Sequence, residues 1–192
     1  MSKARAKKIK LLLLDVDGVM TDGTFFLIPV PDSAVLANNG QIEVKAFHAH
    51  DGTAFSLARH AGIKTGLITK RVSETVRLRA RDLKIEYVYQ GVGDKLLAFK
   101  EILQKEKLRP EEVAFVGDDI IDLPVMRNCG LAFAVANARE DVKDEAHVIT
   151  DHKGGEGAVR DAVEYILKAQ GSLARCVDAY ISDRIPAEDK HQ

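Results

Sequence analysis

Two carboxylates separated by a single residue end the first apolar segment of the chain. Asp15 and Asp17 follow the run from Ile9 to Leu14, which only Lys10 interrupts. Such a run is typical of a strand buried on both faces of a parallel sheet, and these sheets present reactive groups at the carboxyl ends of their strands. If the extended backbone continues, the two carboxylates point the same way. Two like charges at the end of one strand require a cation, a shared proton or separate roles as nucleophile and acid.

Two other interpretations stay open for this segment by itself. Asp and Gly are common in turns, and a D-x-D-G sequence also begins calcium-binding loops. An EF-hand loop beginning at Asp15 would need an acid or amide at its fifth position and Glu at its twelfth. Val19 and Phe26 occupy these positions, which argues against calcium binding of that kind.

Other polar residues with possible chemical roles lie farther along the chain: Thr69, Lys95, Asp118, Asp119 and Asp122. Thr69 ends an apolar strand where it can hold a phosphate, although Thr is also simply a good strand former. Lys95 can neutralise a phosphoryl group, or can be a solvated surface lysine at a helix start. The acids can equally cap the helix that follows. Since the carboxyl ends of parallel strands share one edge, we expect Asp15, Thr69 and Asp118 to meet there.

The collected carboxylates predict a bound magnesium ion. Magnesium prefers hard oxygen ligands in octahedral geometry and leaves positions for water and a phosphate oxygen. The two cysteines, Cys129 and Cys176, belong to no C-x-x-C pair, so zinc is not indicated and a reducing compartment is favoured.

Strands that alternate with helices predict an α/β fold built on a doubly wound parallel sheet. Between the first two core strands, residues 23–28 and 41–47 are expected to pair as a hairpin, with a loop over 29–40. Asp51 is expected to cap a helix that ends near Ala61. The final predicted helix spans 157–168, and a polar tail follows it.

Length and composition favour one domain. The chain has 192 residues, 46% of them apolar and 30% charged, with a formal net charge of −1. We expect a basic arm over residues 1–8, a catalytic domain over 9–171 and a C-terminal tail over 172–192. The near-zero charge gives no reason to expect a nucleic-acid partner, and no span approaches the roughly 20 apolar residues of a membrane helix. A cytoplasmic protein is the expectation.

Four motifs in this order resemble those of the haloacid dehalogenase superfamily: Asp15-Val16-Asp17-Gly18, Thr69, Lys95 and Gly117-Asp118-Asp119-Ile120-Ile121-Asp122. The chain is more closely similar to the 3-deoxy-D-manno-octulosonate 8-phosphate phosphatase family. That resemblance rests on Lys45-Ala46-Phe47 before Asp51-Gly52, on Tyr89-Gln90-Gly91, and on the segment from Gly154 to Arg160. It covers approximately residues 10–171.

The resemblance implies a HAD-like fold and a phosphomonoesterase that makes a lipopolysaccharide precursor. Asp15 would attack phosphorus, and Asp17 would protonate the leaving alcohol and later activate water. Thr69 and Lys95 would hold the phosphoryl oxygens. The metal ligands would be Asp15, the Asp17 backbone carbonyl and Asp118, with Asp119 and Asp122 orienting the groups around them.

Residues 18–68 provide only a hairpin and one helix, which is too little for a separate cap domain. The resemblance therefore implies a homotetramer in which a neighbouring subunit helps to wall the pocket. Its implied substrate contacts are His48, Ala49, His50, Asp51, Gly52, Arg71 and Arg79. For the two histidines, alternation on an exposed strand face is an equal alternative.

The substrate is less firmly indicated than the reaction. Lys70 stands where the family usually has Gly, and Ser56 stands where it often has a basic residue. A nonulosonate 9-phosphate phosphatase is therefore an alternative. Two non-enzymatic alternatives are an oligomerisation or regulatory domain of the same fold and a phosphoacceptor receiver domain, although a receiver lacks the paired acid at Asp17.

Overall fold

The computed structural model describes residues 1–29 and 41–182. A six-stranded parallel sheet forms its centre, in the order β5-β4-β1-β6-β7-β8. The strands are β1 (Leu11–Leu14), β4 (Lys64–Ile68), β5 (Tyr87–Tyr89), β6 (Val113–Gly117), β7 (Leu131–Ala134) and β8 (Val148–Ile149). The chain order reverses on the two sides of β1, so the switch point lies beside the strand that carries the first two carboxylates. The predicted doubly wound sheet is confirmed.

Helices cover the sheet: α1 (Ser2–Ala6), α2 (Ala49–His60), α3 (Glu74–Asp82), α4 (Lys95–Glu106), α5 (Leu123–Met126), α6 (Glu140–Glu145), α7 (Ala158–Ala169) and α8 (Leu173–Ser182). Short 3₁₀ turns at Pro110–Glu112 and Ile120–Asp122 precede β6 and α5. All four residues of β1 and all of β6 are buried. Burying apolar side chains on both faces of these strands stabilises the sheet and fixes where each strand ends. Among the described residues, no helix is both long and apolar enough to cross a bilayer.

The predicted hairpin is confirmed as an antiparallel pair, β2 (Phe26–Pro29) with β3 (Gln41–Val44). Its two strands are shorter than expected, and residues 30–40 of the predicted loop lie outside the described residues. Phe26 faces Val44 and Ile28 faces Ile42 across the pair. All four side chains are exposed to solvent, so one face of the hairpin is apolar and uncovered. We refer to these four residues as the apolar hairpin face.

Both ends of the described chain contain helices that the sequence pattern did not indicate. In α1, Arg5 donates to the Gly130 carbonyl (2.8 Å), and Tyr165 of α7 donates to Ser2 (2.6 Å). At the other end, a polar tail was expected after α7, but residues Leu173–Ser182 form the helix α8. The α8 helix buries Cys176 against the body while most of its other residues stay partly or fully exposed.

Candidate active site

The loop after β1 turns sharply; because it carries Asp15 and Asp17, the predicted catalytic residues, we refer to it as the catalytic loop. The Val16 carbonyl accepts hydrogen bonds from the backbone N–H groups of Met20 (2.9 Å) and Thr21 (3.1 Å). Asp15 is only 4% exposed, and Asp17 is partly exposed. Gly18 has φ +89°, and a Cβ there would lie 2.1 Å from an oxygen of Asp118. Glycine therefore allows both the left-handed turn and the close approach of the second acidic loop.

The glycine-rich loop between β8 and α7 packs against this turn. The Gly155 N–H donates to the Val19 carbonyl (3.0 Å). A Cβ at Gly154 would lie only 1.6 Å from the Gly18 carbonyl oxygen. The glycine-rich motif singled out in the sequence thus packs its backbone directly against the catalytic loop.

Lys95 connects the two acidic loops. Asp94 caps α4 by accepting from the N–H groups of Leu96 and Leu97, which places Lys95 at the first helical position. Its ammonium lies 2.9 Å from Asp15 and 2.7 Å from Asp122. Burial opposes the charge on Lys95, but the two carboxylates outweigh burial and raise the pKa of the lysine. Lys95 is therefore a buried cation rather than the solvated lysine that the sequence left possible.

The second acidic loop follows β6 and is organised by Asp122. One Asp122 oxygen accepts from the backbone N–H groups of Asp118 (3.0 Å) and Asp119 (3.4 Å), and the other faces Lys95. The exposed Asp119 accepts from the Ile120 N–H (2.8 Å) and so caps the 3₁₀ turn. The two residues therefore differ in their contacts: Asp122 binds Lys95, while Asp119 caps the turn within the loop.

Three carboxylates converge at this edge of the sheet. Ligand oxygens of Asp15, Asp118 and Asp122 lie within 4.8 Å of one another. Asp118 Oδ1 is buried and has no hydrogen-bond partner in the part of the chain that the structure describes. Burial, with Asp122 and Asp15 nearby, raises the pKa of Asp118 to about 8. Burial also raises the pKa of Asp15 to about 6, although Lys95 partly offsets it. One lysine does not neutralise this cluster, and an oxygen-only donor set with a free buried oxygen fits a hard divalent cation.

Thr69 lies at the same edge, directly after β4. It is buried, and its hydroxyl accepts from the Arg71 N–H (3.4 Å). Strand β1 pairs in parallel with β4 on one side and with β6 on the other, so Thr69, Asp15 and Asp118 follow three neighbouring strands; the contact of Thr69 with a phosphate stays a prediction. Arg71 reaches the site as well, with Nε 3.7 Å from Asp17.

The other predicted substrate contacts group around the start of α2. His48 precedes the helix, Ala49 and His50 begin it, and the two imidazole rings meet edge to face at 4.8 Å. Neither histidine lies on a strand, so the alternative that they alternate on an exposed strand face is excluded. The Arg79 guanidinium lies so close to Gly52 that a Cβ there would be 2.8 Å from it. Substrate contact by these residues stays a prediction.

The prediction that Asp51 caps its own helix is wrong. His48 is the N-cap of α2, and Asp51 is buried within the first turn of the helix. Its Oδ1 accepts from the backbone N–H of Arg160 (2.9 Å), in the first turn of α7. Asp51 therefore caps a helix more than one hundred residues away, and burial raises its pKa.

Two residues at the site were given no role by the sequence pattern. Lys45 and Glu43 extend from the hairpin into the site, where Lys45 Nζ contacts Asp17 Oδ1 and Glu43 pairs with Arg71 (3.0 Å). Their spacing could have indicated this position, because Glu43 and Lys45 alternate with Ile42 and Val44 and therefore lie on the opposite face of the strand.

Comparisons of the sequence and of the structure with known proteins point to the same family. The profile of the haloacid dehalogenase-like hydrolases matches residues 64–163. The chain is 42% identical to the 3-deoxy-D-manno-octulosonate 8-phosphate phosphatase of Escherichia coli K12, over 88% of this chain and 85% of that protein. The crystal structure of the phosphatase of the same name from Yersinia pestis superposes with a TM-score of 0.83 at 40% identity, covering 90% and 88% of the two chains.

The phosphatase of this name from Moraxella catarrhalis, in complex with magnesium, phosphate and KDO, matches with a TM-score of 0.83 at 35% identity. This match covers 93% of the present chain and 97% of the other. The chain belongs to the haloacid dehalogenase-like hydrolases and, within them, to the 3-deoxy-D-manno-octulosonate 8-phosphate phosphatase family.

Proposed function

We propose that this protein is a magnesium-dependent phosphomonoesterase that hydrolyses 3-deoxy-D-manno-octulosonate 8-phosphate to the free sugar acid and phosphate. The observation that carries the proposal is the buried group of Asp15, Lys95, Asp118 and Asp122 at the strand edge. The relatives named above support the choice of substrate, since they are phosphatases of that sugar phosphate.

In the first step, a carboxylate oxygen of Asp15 attacks phosphorus, and the bond from phosphorus to the sugar oxygen breaks. Asp17 gives a proton to the departing oxygen, which leaves as the alcohol. In the second step, Asp17 takes a proton from water as the water oxygen attacks phosphorus. The aspartyl-phosphate bond then breaks, which releases phosphate and restores Asp15.

Lys95 and Thr69 bind the phosphoryl group in this proposal. The lysine is held by two carboxylates before substrate arrives, so little reorganisation is needed when negative charge develops on phosphoryl oxygens. Thr69 adds a hydroxyl from the neighbouring strand end. Asp122 keeps Lys95 in place and holds the backbone of the acidic loop.

Magnesium would be held by the Asp15 carboxylate, the Asp17 backbone carbonyl and Asp118. Asp118 Oδ1 has no partner among the residues described, and the pKa of the Asp118 carboxyl is raised; both support this assignment, because a cation there would neutralise buried charge. When bound, the ion supplies positive charge that lets two anions, the nucleophile and the phosphate ester, approach each other.

We also propose a cytoplasmic homotetramer. The support for assembly is the apolar hairpin face, whose side chains at Phe26, Ile28, Ile42 and Val44 are 64%, 48%, 42% and 42% exposed. Contiguous exposed apolar surface marks interaction sites, and the same hairpin leads into Lys45, which contacts Asp17 at the site. Replacing Ile28 and Ile42 together by Glu should give a smaller species in sedimentation velocity. The matched control is Ile149→Glu, an exposed residue on the edge strand β8, which should leave the assembly unchanged.

The substrate is tested by kcat/KM for the octulosonate 8-phosphate and for a nonulosonate 9-phosphate, each with magnesium and with EDTA. We expect magnesium-dependent phosphate release and at least a tenfold preference for the octulosonate. The reverse preference would assign the longer sugar acid instead. Turnover of neither compound would remove the sugar-acid assignment.

A further inference from the structure

The two faces of strand β3 have different functions. Because side chains alternate, Ile42 and Val44 belong to the apolar hairpin face, whereas Glu43 and the next charged residue, Lys45, point toward the catalytic loop. The Lys45 side chain is 0% exposed, and its ammonium contacts Asp17 Oδ1 and lies 3.8 Å from Glu43. The hairpin therefore places a fully buried cation against the proposed acid and base of the reaction.

Glu43 anchors this cation to the body of the protein. The hydroxyl of Ser73 donates to one Glu43 oxygen, and Arg71 Nη2 pairs with the other at 3.0 Å. The Thr75 hydroxyl also donates to the Glu43 carbonyl (3.1 Å). Burial opposes ionisation of Glu43, but the bonds from Ser73 and Arg71 outweigh it and lower the pKa of the carboxyl. Lys45 thus lies between two carboxylates, one of which is tied to α3 and the loop before it.

Phe25 covers the outer side of the arrangement. Its ring centroid lies 4.0 Å from the Arg71 guanidinium carbon and 5.3 Å from Lys45 Nζ. An aromatic face stabilises both cations and limits their side-chain rotation. Arg71, predicted from the family resemblance as a substrate contact, also has a partner inside the protein in Glu43.

We infer that Lys45 is a positioning residue that fixes the orientation of the Asp17 carboxylate. This inference rests on the proposed function, in which Asp17 passes a proton to the leaving oxygen and later takes one from water. Asp17 lies on a loop and is partly exposed, so its orientation depends on its partners: the buried Lys45 at Oδ1, and the more exposed Arg71 with Nε 3.7 Å from Oδ2. Holding Oδ1 with Lys45 keeps one fixed direction for proton transfer in both steps. Lys45 acts through Asp17 and does not touch the substrate.

The test compares Lys45→Met with the wild type on two substrates that differ in leaving group. A sugar alkoxide needs a proton to depart, whereas p-nitrophenolate does not. With the sugar phosphate, Lys45→Met should lower kcat by about 10- to 100-fold while KM changes less than threefold. With p-nitrophenyl phosphate, the rate of the first nitrophenolate burst should change less than threefold.

A double-mutant cycle checks that the effect passes through Asp17. In an Asp17→Asn background, Lys45→Met should change sugar-phosphate turnover less than twofold, because the group it orients no longer transfers a proton. Lys45→Arg keeps the charge and should recover part of the kcat that Lys45→Met loses. If Lys45→Met is unfolded at the assay temperature, Lys45→Arg is the folded variant that is compared with the wild type. Lys64→Met, which removes a lysine paired with Glu106 at 2.6 Å far from the site, is the matched control and should leave kcat unchanged.

Two results would overturn the inference: equal losses on the two substrates, or effects of Lys45→Met and Asp17→Asn that multiply. Either can occur in a fully active wild-type enzyme, and the proposed function would then stand. A wild type that hydrolyses no phosphomonoester would remove the proposed function and this inference with it.

Discussion

The ammonium of Lys95 lies 2.7 Å from Asp122, and this pair joins the helix after β5 to the acidic loop after β6. Asp122 is fully buried and also holds the backbone N–H of Asp118. One side chain thus orients both Lys95, the proposed phosphate-binding cation, and Asp118, a proposed metal ligand. Groups that orient ligands in this way typically affect activity by about 10- to 100-fold when they are replaced.

Asp122→Asn should therefore lower kcat by about 10- to 100-fold and also lower the melting temperature, since Lys95 loses a charged partner. Asp119→Asn should change kcat by less than about threefold, because Asn also caps a helical turn. Steady-state kinetics with saturating magnesium, together with thermal melts, makes the comparison. Equal losses in the two variants would show that the structure does not separate the roles of these acids.

Asp51→Ala should destabilise the protein rather than weaken substrate binding. The substitution leaves the Arg160 N–H without its acceptor in the first turn of α7, which costs about 1–3 kcal/mol. For a chain of this length that is a fall in melting temperature of several degrees. His50→Ala, at an exposed position of the same helix, is the comparison for stability alone and should leave the melting temperature unchanged; because His50 is itself a predicted substrate contact, its KM is not the control. A large rise in KM for Asp51→Ala with an unchanged melting temperature would instead make Asp51 a substrate ligand.

Magnesium should stabilise the protein more as the pH rises. Without metal, the pKa of Asp118 is about 8, against an ordinary value of 3.8. Between these values the folded protein binds more protons than the unfolded chain, so this carboxyl's stabilising contribution is lost as the pH rises toward 8. Magnesium binds the deprotonated carboxylate, so magnesium binding also becomes more favourable as the pH rises.

Thermal melts in EDTA and in magnesium at pH 6 and pH 8 measure this linkage. The metal-free protein should melt lower at pH 8 than at pH 6, and the increase caused by magnesium should be larger at pH 8. In Asp118→Asn both differences should shrink. A wild type and a variant with identical pH dependence would contradict the assignment of the buried charge to Asp118.

Gly154→Ala should impair both folding and catalysis. The added Cβ would overlap the Gly18 carbonyl oxygen, which is backbone and cannot rotate away. The catalytic loop or the glycine-rich loop must shift, at a cost of about 1–3 kcal/mol. A Cβ at Gly93 would meet no atom of the described residues within 4 Å, so Gly93→Ala is the matched control with little expected effect. Wild-type kcat in Gly154→Ala would show that the two loops are not tightly coupled.

The sequence was most informative where apolar runs end in polar residues. Strands β1, β4 and β6 were predicted because burial on both faces produces continuous apolar segments, and parallel pairing then brings their ends together. The order of strands and helices along the chain was therefore enough to predict that Asp15, Thr69 and Asp118 lie at one edge of the sheet.

The sequence was less informative where a contact depends on packing between distant elements. In α4, Leu97 is 56% exposed, whereas the adjacent Leu96 packs against the core. Neighbouring leucines look equivalent in sequence, and the surface against which the helix packs decides between them. The cap that Asp51 provides for α7 and the contact of Lys45 with Asp17 depend on the tertiary fold in the same way.

The central claim, that Asp15 is the nucleophile of a magnesium-dependent phosphatase, is tested most directly by the turnover of Asp15→Asn. The measurement is kcat for phosphate release from the octulosonate 8-phosphate at saturating magnesium, with thermal melts to confirm folding. Since the amide cannot form the aspartyl-phosphate, we predict a loss on the order of 10⁴-fold or more in a folded protein. A folded Asp15→Asn variant within tenfold of the wild-type kcat would contradict the account.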